Sequence, residues 1–94
     1  MQREESESIA VSALAFIAAD EKLLPRFLSL TGIEAEQIRS AAAEPGFLAG
    51  VLQFILAHEP TLLRFCEESG IPPEQVARAP HALPHGKTEY DIQP

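Results

Sequence analysis

The residues best placed to do chemistry in this chain are Cys66 and His58, because a thiol becomes a nucleophile when a base lies beside it. Cys66 follows His58 by eight positions with Pro60 between them, and no third group is positioned to orient the base. Cys66 also falls on the apolar side of a predicted helix. We therefore interpret it as a buried structural thiol, with a thiol-dependent enzyme kept as an alternative.

A second candidate for chemistry is the H-x3-H spacing of His81 and His85, which could place two imidazoles on one metal ion. The two histidines lie in a proline-interrupted segment without carboxylates or cysteines beside them, so no metal site is predicted. The sequence also lacks a glycine-rich phosphate loop, paired catalytic carboxylates and a Ser-His-Asp set. We assign no catalytic, cofactor-binding or metal-binding residue, and we predict a protein that is not an enzyme.

Charge and composition restrict the partners of this chain. Its 94 residues are enough for one small domain, and seven basic against fourteen acidic residues leave a net charge of −7. Such a charge repels nucleic-acid phosphates and anionic membrane surfaces. A single cysteine fits a reducing compartment, and there is neither a secretory signal nor an apolar run of about 18 residues that could span a membrane. We therefore expect a soluble cytoplasmic protein.

Helical periodicity dominates the chain and predicts an all-α fold of about six helices. Ile9, Ala13 and Ile17 recur at i, i+4 and i+8, and the apolar stretch from Phe47 to Ala57 predicts a helix buried on every side. Breaks are expected near Asp20, and at Gly32 and Gly70, where a left-handed residue would end a helix. Predicted helices begin near Ser6, Lys22, Glu34, Phe47, Pro60 and Pro73.

These patterns divide the chain into three parts. Residues 1–5 are expected to form a flexible N-terminus, and residues 6–80 a single helical domain. Residues 81–94 lack periodicity and contain several prolines, so we predict an irregular or disordered tail unless Leu83, Tyr90 or Ile92 docks.

An internal repeat links the two halves of the domain. When residues 13–41 are set over 51–79 without a gap, thirteen of the twenty-nine pairs are identical, whereas chance gives roughly two. We predict two tandem three-helix units that pack with pseudo-two-fold symmetry. Their apolar faces would meet over four phenylalanines, namely Phe16, Phe27, Phe54 and Phe65.

Two repeated polar pairs are not explained by burial, and they are Glu21/Glu59 and Arg26/Arg64. One interpretation is a glutamate near a helix start and an arginine whose stem covers apolar surface. The other is a charged face that binds a partner. The sequence leaves both open.

Each unit also contains a helix, a glycine turn and a second helix, which is the skeleton of a helix-turn-helix. A DNA-binding regulator is therefore an alternative function. The second helices carry Glu36 and Glu74 with single arginines at Arg39 and Arg78, and carboxylates facing phosphates oppose binding.

Three segments together resemble one known family, and they are A-L-A-F-I-A-A-D-E-K-L-L-P-R-F-L-S-L-T-G-I, P-G-F-L-A-G-V-L-Q-F-I-L-A and R-F-C-E-E-S-G-I-P-P-E-Q-V-A-R-A. The family is a group of small bacterial proteins catalogued as domain-of-unknown-function family 3572, and the resemblance covers about Ile9 to Leu83. It implies a short cytoplasmic helical protein and brings no activity, ligand or functional residue.

The function that these observations favour is a non-enzymatic protein-interaction or regulatory module. The expected partner is another protein of unknown identity, with a homodimer as a further option through the alanine-rich side of the first helix. No cofactor is expected, nucleic acid is disfavoured, and no residue is assigned to partner binding.

Overall fold

The structure is a computed structural model that describes residues 1–44 and 46–83. Within these residues it contains six α-helices, two short 3-10 segments and no strand, which confirms the predicted all-α fold. The α-helices are α1 (Arg3–Ala18), α2 (Leu23–Thr31), α3 (Ile38–Ala41), α4 (Phe47–Leu56), α5 (Glu59–Ser69) and α6 (Pro73–Arg78). The 3-10 segments are Ala35–Gln37 and Ala79–Ala82.

Helix α1 begins earlier than the sequence suggested. The backbone N–H of Gln2 donates to Oε1 of Glu5 at 3.1 Å, which stabilises the first turn from Arg3. Arg3, Glu4 and Glu5, which the sequence analysis assigns to a flexible N-terminus, thus lie within α1. Ser6, expected near the cap, is instead fully buried inside the helix, and its Oγ has no partner among the described residues.

The packed domain also extends further at its other end. The 3-10 segment Ala79–Ala82 packs against α1 and α4, and Leu83 is only 5% exposed. The sequence places the domain boundary at residue 80 and leaves open that Leu83 docks, and the side chain of Leu83 does lie in the core. The rest of the predicted tail, including Tyr90 and Ile92, lies outside the described residues.

The core forms where α1 packs against α4, with α2, α5, α6 and Ala79–Ala82 around this pair. Helix α4 buries Val51, Leu52 and Ile55 completely. Gly50 and Gln53 are exposed, so the prediction of a helix buried on every side is wrong. The domain is too small to surround α4, and one of its sides faces solvent.

Four phenylalanines connect the two halves of the chain through crossed contacts. The ring centres of Phe16 and Phe65 lie 5.4 Å apart, and those of Phe27 and Phe54 lie 5.3 Å apart. Phe16 and Phe54 are equivalent in the repeat, as are Phe27 and Phe65. Each half therefore places its first ring on the second ring of the other half, which is the contact pattern that a pseudo-two-fold axis produces.

The glycine turns also agree between the halves. Gly32 has a φ of 75° and Gly70 a φ of 79°, and each donates its backbone N–H to the carbonyl four residues earlier. Both glycines were predicted to end a helix, Gly32 in this left-handed conformation. In each half this glycine directly follows the last residue of the second helix.

The third helices of the two halves differ. Helix α6 buries Val76, whereas α3 has only four residues and no buried side chain. Ile38, Ala41 and Ala42, the apolar side chains in and beside α3, are all only partly buried. The division into two complete three-helix units remains a prediction, supported by the first two helices of each half.

This difference predicts unequal costs for equivalent truncations. Val76→Ala should lower the free energy of unfolding by about 2 kcal/mol, because it removes two fully buried carbons. Ile38→Ala should cost less, although it removes three carbons, since its side chain is partly solvated already. Urea unfolding of both variants measures this, and a larger loss for Ile38→Ala would contradict the packing described.

Candidate functional site

Asp20 organises the corner between α1 and α2. Its Oδ1 accepts hydrogen bonds from the backbone N–H groups of Lys22 and Leu23, at 2.8 and 2.9 Å. Its Oδ2 accepts a hydrogen bond from Nη2 of Arg64 on α5. The guanidinium of Arg64 also lies over the ring of Phe16, 5.1 Å from its centre. This one cation therefore joins α5 to α1 and to the following turn.

The contacts of Asp20 favour its ionised form. The hydrogen bond from Arg64, with those from the Leu23 and Lys22 N–H groups, lowers the pKa of Asp20 from 3.8 to about 2. The same hydrogen bond raises the pKa of Arg64. The structure thus gives Arg64 a structural role, while its repeat equivalent Arg26 is exposed and forms no salt bridge with any described residue.

A groove lies between α1 and α5, beside the Arg64–Phe16 contact. It has a volume of about 410 Å³ and is shallow and largely open to solvent. Its lining residues are Ser12, Ala15 and Phe16 from α1, and Phe65, Glu68, Ser69 and Ile71 from the α5 end and its turn. Phe65 lies beneath the surface at 1% exposure, so Phe16 and Ile71 supply the accessible apolar floor.

Local structure holds this floor in place. Gly70 turns the chain after α5, and the backbone N–H of Ile71 donates to Oγ of Ser69 at 3.2 Å. Ile71 and Phe16 thereby line the same groove. The Phe16–Phe65 contact fixes the opposite side, so the groove rests on the same crossed ring pair that joins the two halves.

The wall that α1 contributes carries no charge. From Ser8 to Ala19 the helix has no ionisable side chain, and Val11 is 55% exposed. A surface helix ordinarily presents charged or strongly polar residues to water. The exposed positions of this segment are Ser8, Val11, Ser12, Ala15, Ala18 and Ala19. Helix α1 therefore offers a smooth, weakly polar surface directly beside the groove.

The wall that α5 contributes is acidic. Glu67 and Glu68 occupy its last turn, at the negative end of the helix dipole, without a basic residue in that turn. Neither forms a salt bridge within residues 1–44 and 46–83. Arg64, one turn earlier, attracts Glu68 at longer range but is hydrogen-bonded to Asp20. Glu68, which lines the groove, therefore gives this edge of the groove a negative charge.

The residues considered for nucleophilic chemistry are not joined. Nδ1 of His58 lies 2.8 Å from Oγ1 of Thr61, at the start of α5. This is the hydrogen bond that the His58 side chain makes among the described residues. Cys66 is partly buried, and burial, with a smaller contribution from Glu74, raises the pKa of its thiol. A raised pKa keeps the thiol protonated and weakly nucleophilic.

The structure also bears on the metal-binding, membrane-spanning and helix-turn-helix motifs considered from the sequence. In the part of the chain that the structure describes, no group of three His, Cys, Asp or Glu side chains could hold a metal ion, and His85 lies outside that part. No described helix is both long enough and apolar enough to cross a membrane. The two helix-glycine-helix segments do form, but their second helices, α3 and α6, have only four and six residues. Glu36, in the 3-10 segment before α3, and Glu74, in α6, are both exposed.

Some features of the molecular surface were not anticipated from the sequence. Leu63 is 51% exposed and Leu30 is 70% exposed. Ser12, Ala15 and Ile71 were not singled out as a binding surface. The sequence feature that could have indicated this surface is the uncharged run from Ser8 to Ala19. A run of this length covers every side of a helix, whereas a surface helix buries only one side, so part of the run must be exposed.

The Asp20–Arg64 contact predicts a defined pH dependence of stability. Because the pKa of Asp20 is lowered by folding, its contribution is present above about pH 4 and is lost as the pH falls toward 2. Asp20→Asn should lower the Tm at neutral pH, and the Tm difference from the unmutated protein should shrink between pH 5 and 2. Glu21→Gln, at the exposed neighbouring position, is the control. A difference for Asp20→Asn that stayed constant over this range would contradict the assignment.

Comparison with known proteins identifies the family but no function. No curated protein and no solved structure matches the chain. A family model described as "Protein of unknown function (DUF3572)" matches residues 3–86, which is most of the sequence. The chain therefore belongs to this family of unknown function.

Proposed function

We propose that this protein is a non-enzymatic protein–protein interaction module and that it binds its partner through the groove between α1 and α5. The observation that carries the proposal is the open apolar floor of Phe16 and Ile71 beside the uncharged, exposed face of α1. An accessible apolar surface costs solubility in a free protein, and a bound partner would remove it from water.

The composition of this surface supports a protein ligand. Protein interfaces have a centre depleted in charge with aromatic residues in it, and a polar rim around that centre. Phe16 and Ile71 form such a centre here, while Ser12, Glu68 and Ser69 form the rim. The floor is also rigid because Phe16 is held by both Phe65 and Arg64. A preformed surface loses little conformational entropy on binding.

The alternatives gain no comparable support. A DNA-binding regulator would present Glu36 and Glu74 to phosphates, and a thiol-dependent enzyme would need Cys66 activated by a neighbouring base. We also propose a cytoplasmic location, for which the single cysteine is the support.

The proposal is tested by blocking the groove with one side chain. Ala15→Arg should remove partner binding, because it places a long charged side chain over the apolar floor. Gln53→Arg is a matched control, since Gln53 is exposed on α4 at the position equivalent to Ala15 in the repeat. Tagged forms of each are expressed in the native cell, and captured proteins are identified by mass spectrometry.

The expected result is a protein captured by the unmutated and Gln53→Arg forms and lost with Ala15→Arg. The far-ultraviolet circular dichroism and Tm of the two variants should match, since both positions are exposed. Capture of the same proteins by all three forms, or of none above background, would contradict a binding role for the groove.

A further inference from the structure

We infer that residues 34–42 form a lid that closes on α1 and buries Ile38 against Leu14 while the rest of the domain stays folded. The lid contains the 3-10 segment Ala35–Gln37 and α3. This inference does not rest on the proposed function. It follows from a comparison of the two halves of the repeat within one structure.

Burial differs between the halves where the third helix meets the first. Three apolar positions are partly buried in the first half and fully buried in the second. They are the pairs Leu14/Leu52, Ile38/Val76 and Ala41/Ala79. The central positions of the first two helices match instead, since Ile17 and Phe27 are as deeply buried as Ile55 and Phe65. The halves therefore share one core but differ in how the third helix is placed on it.

The third helix of the first half lies away from this core. Helix α6 packs against α4 and α5, whereas the close contacts of α3 are with the 3-10 segment before it. Leu14 packs against the buried core, but Ile38 does not. Ile33, at the turn that leads into the lid, also lies off the core, while its equivalent Ile71 packs on it. Closing would remove apolar side chains of the lid from water.

An open cleft separates the lid from α1. Its volume is about 550 Å³, and Leu14 lines it from α1. Its other lining residues all belong to the lid, and they are Ala35, Glu36, Ile38, Arg39 and Ala42. No fixed charge on α1 opposes closing, because this helix has no ionisable side chain from Ser8 to Ala19. Neither Glu36 nor Arg39 forms a salt bridge within residues 1–44 and 46–83 that closing would have to break.

Glycines flank the lid on both sides. Gly32 has a φ of 75° and Gly46 a φ of 88°. Glycine adopts a wide range of φ and ψ at little cost, so such residues can absorb the backbone rotation when a segment moves. The second half has Gly70 before α6 but no glycine between α6 and Leu83, and there the chain continues directly into the packed segment Ala79–Ala82. The third helix is therefore held in place in the second half and free to move in the first.

The closed lid is the minor state of this equilibrium. The structure describes the open form, and a second conformation a few kcal/mol higher is populated at about 0.1–10%. Closing hides Leu14 and Ile38 without unfolding the domain. The lid thus controls whether this apolar surface is accessible to another molecule, and a molecule that binds only one form would shift the populations.

The test is amide relaxation dispersion on the ¹⁵N-labelled protein, which detects exchange with a minor state on the μs–ms timescale. The amides of Ala35 and Ala42 should show dispersion, and those of α6 should not. Ile38→Ser should lower the minor population roughly tenfold, because it removes the apolar side chain that closing buries. Ser40→Ala changes an exposed position of the same lid and should leave the dispersion unchanged.

A disulfide lock identifies the minor state. In a Cys66→Ala background, the pair Leu14→Cys and Ile38→Cys should form a disulfide under mild oxidation, because closing brings these two positions together. The amide shifts of Ala35 and Ala42 in the locked form should agree with the minor-state shifts obtained from dispersion. Reduction should return them to the open values, which also shows that the variant is folded.

Each of the opposite results would overturn the inference. An absence of dispersion in the lid would mean that it has one fixed position, and equal dispersion in α6 would mean that the whole domain moves. Dispersion that Ile38→Ser leaves unchanged, or that Ser40→Ala reduces equally, would show that burial of Ile38 does not drive the motion. Failure to form the disulfide, or locked shifts unlike those of the minor state, would show that the minor state is not a closed lid.

Discussion

The structure depends on two crossed aromatic contacts, Phe16 with Phe65 and Phe27 with Phe54. Each contact takes one ring from either half of the repeat, so neither half completes its own core. Edge-to-face and tilted ring pairs at about 5 Å stabilise more than their buried area alone, by about 0.5–1.5 kcal/mol each. In a chain of 94 residues, where the core is small, such contacts are a substantial part of the net stability.

The two halves differ at the surface beside one of these contacts, that of Phe16 with Phe65. Phe16 is fixed from below by Phe65 and from the side by Arg64, which is itself hydrogen-bonded to Asp20. The equivalent of Asp20 in the second half is His58, so no matching ion pair joins Arg26 to that corner. In the first half, therefore, the guanidinium of Arg64 covers the ring of Phe16 beside the open groove.

Much of the fold follows from the sequence alone. Periodicity located the helices, and Gly32 and Gly70 marked two of their ends because left-handed backbone favours glycine. The errors have physical causes. Ser6 has the side chain of a cap, yet Gln2 and Glu5 cap the helix further upstream and Ser6 falls on its buried face. Leu83 looked like part of a proline-rich tail, although proline at Pro80 is compatible with a 3-10 turn that carries Leu83 into the core.

The groove was less predictable because it arises from the angle between α1 and α5 and from the turn after Gly70. Its residues are ordinary by type, with Ser12, Ala15 and Ile71 carrying no motif. The contact of Arg64 with Asp20 joins positions 44 residues apart, and neither residue stands out without that geometry. Only the missing charge on α1 and the paired glutamates of α5 were visible in the sequence.

The central claim, that crossed rings join the two halves, is tested most directly by double-mutant cycles in which Phe27 and Phe54, and then Phe16 and Phe65, are changed to leucine. Urea unfolding should give a coupling free energy of about 0.5–1.5 kcal/mol within each pair and near zero between Phe16 and Phe54, which belong to different pairs. Coupling near zero within both pairs would contradict the account.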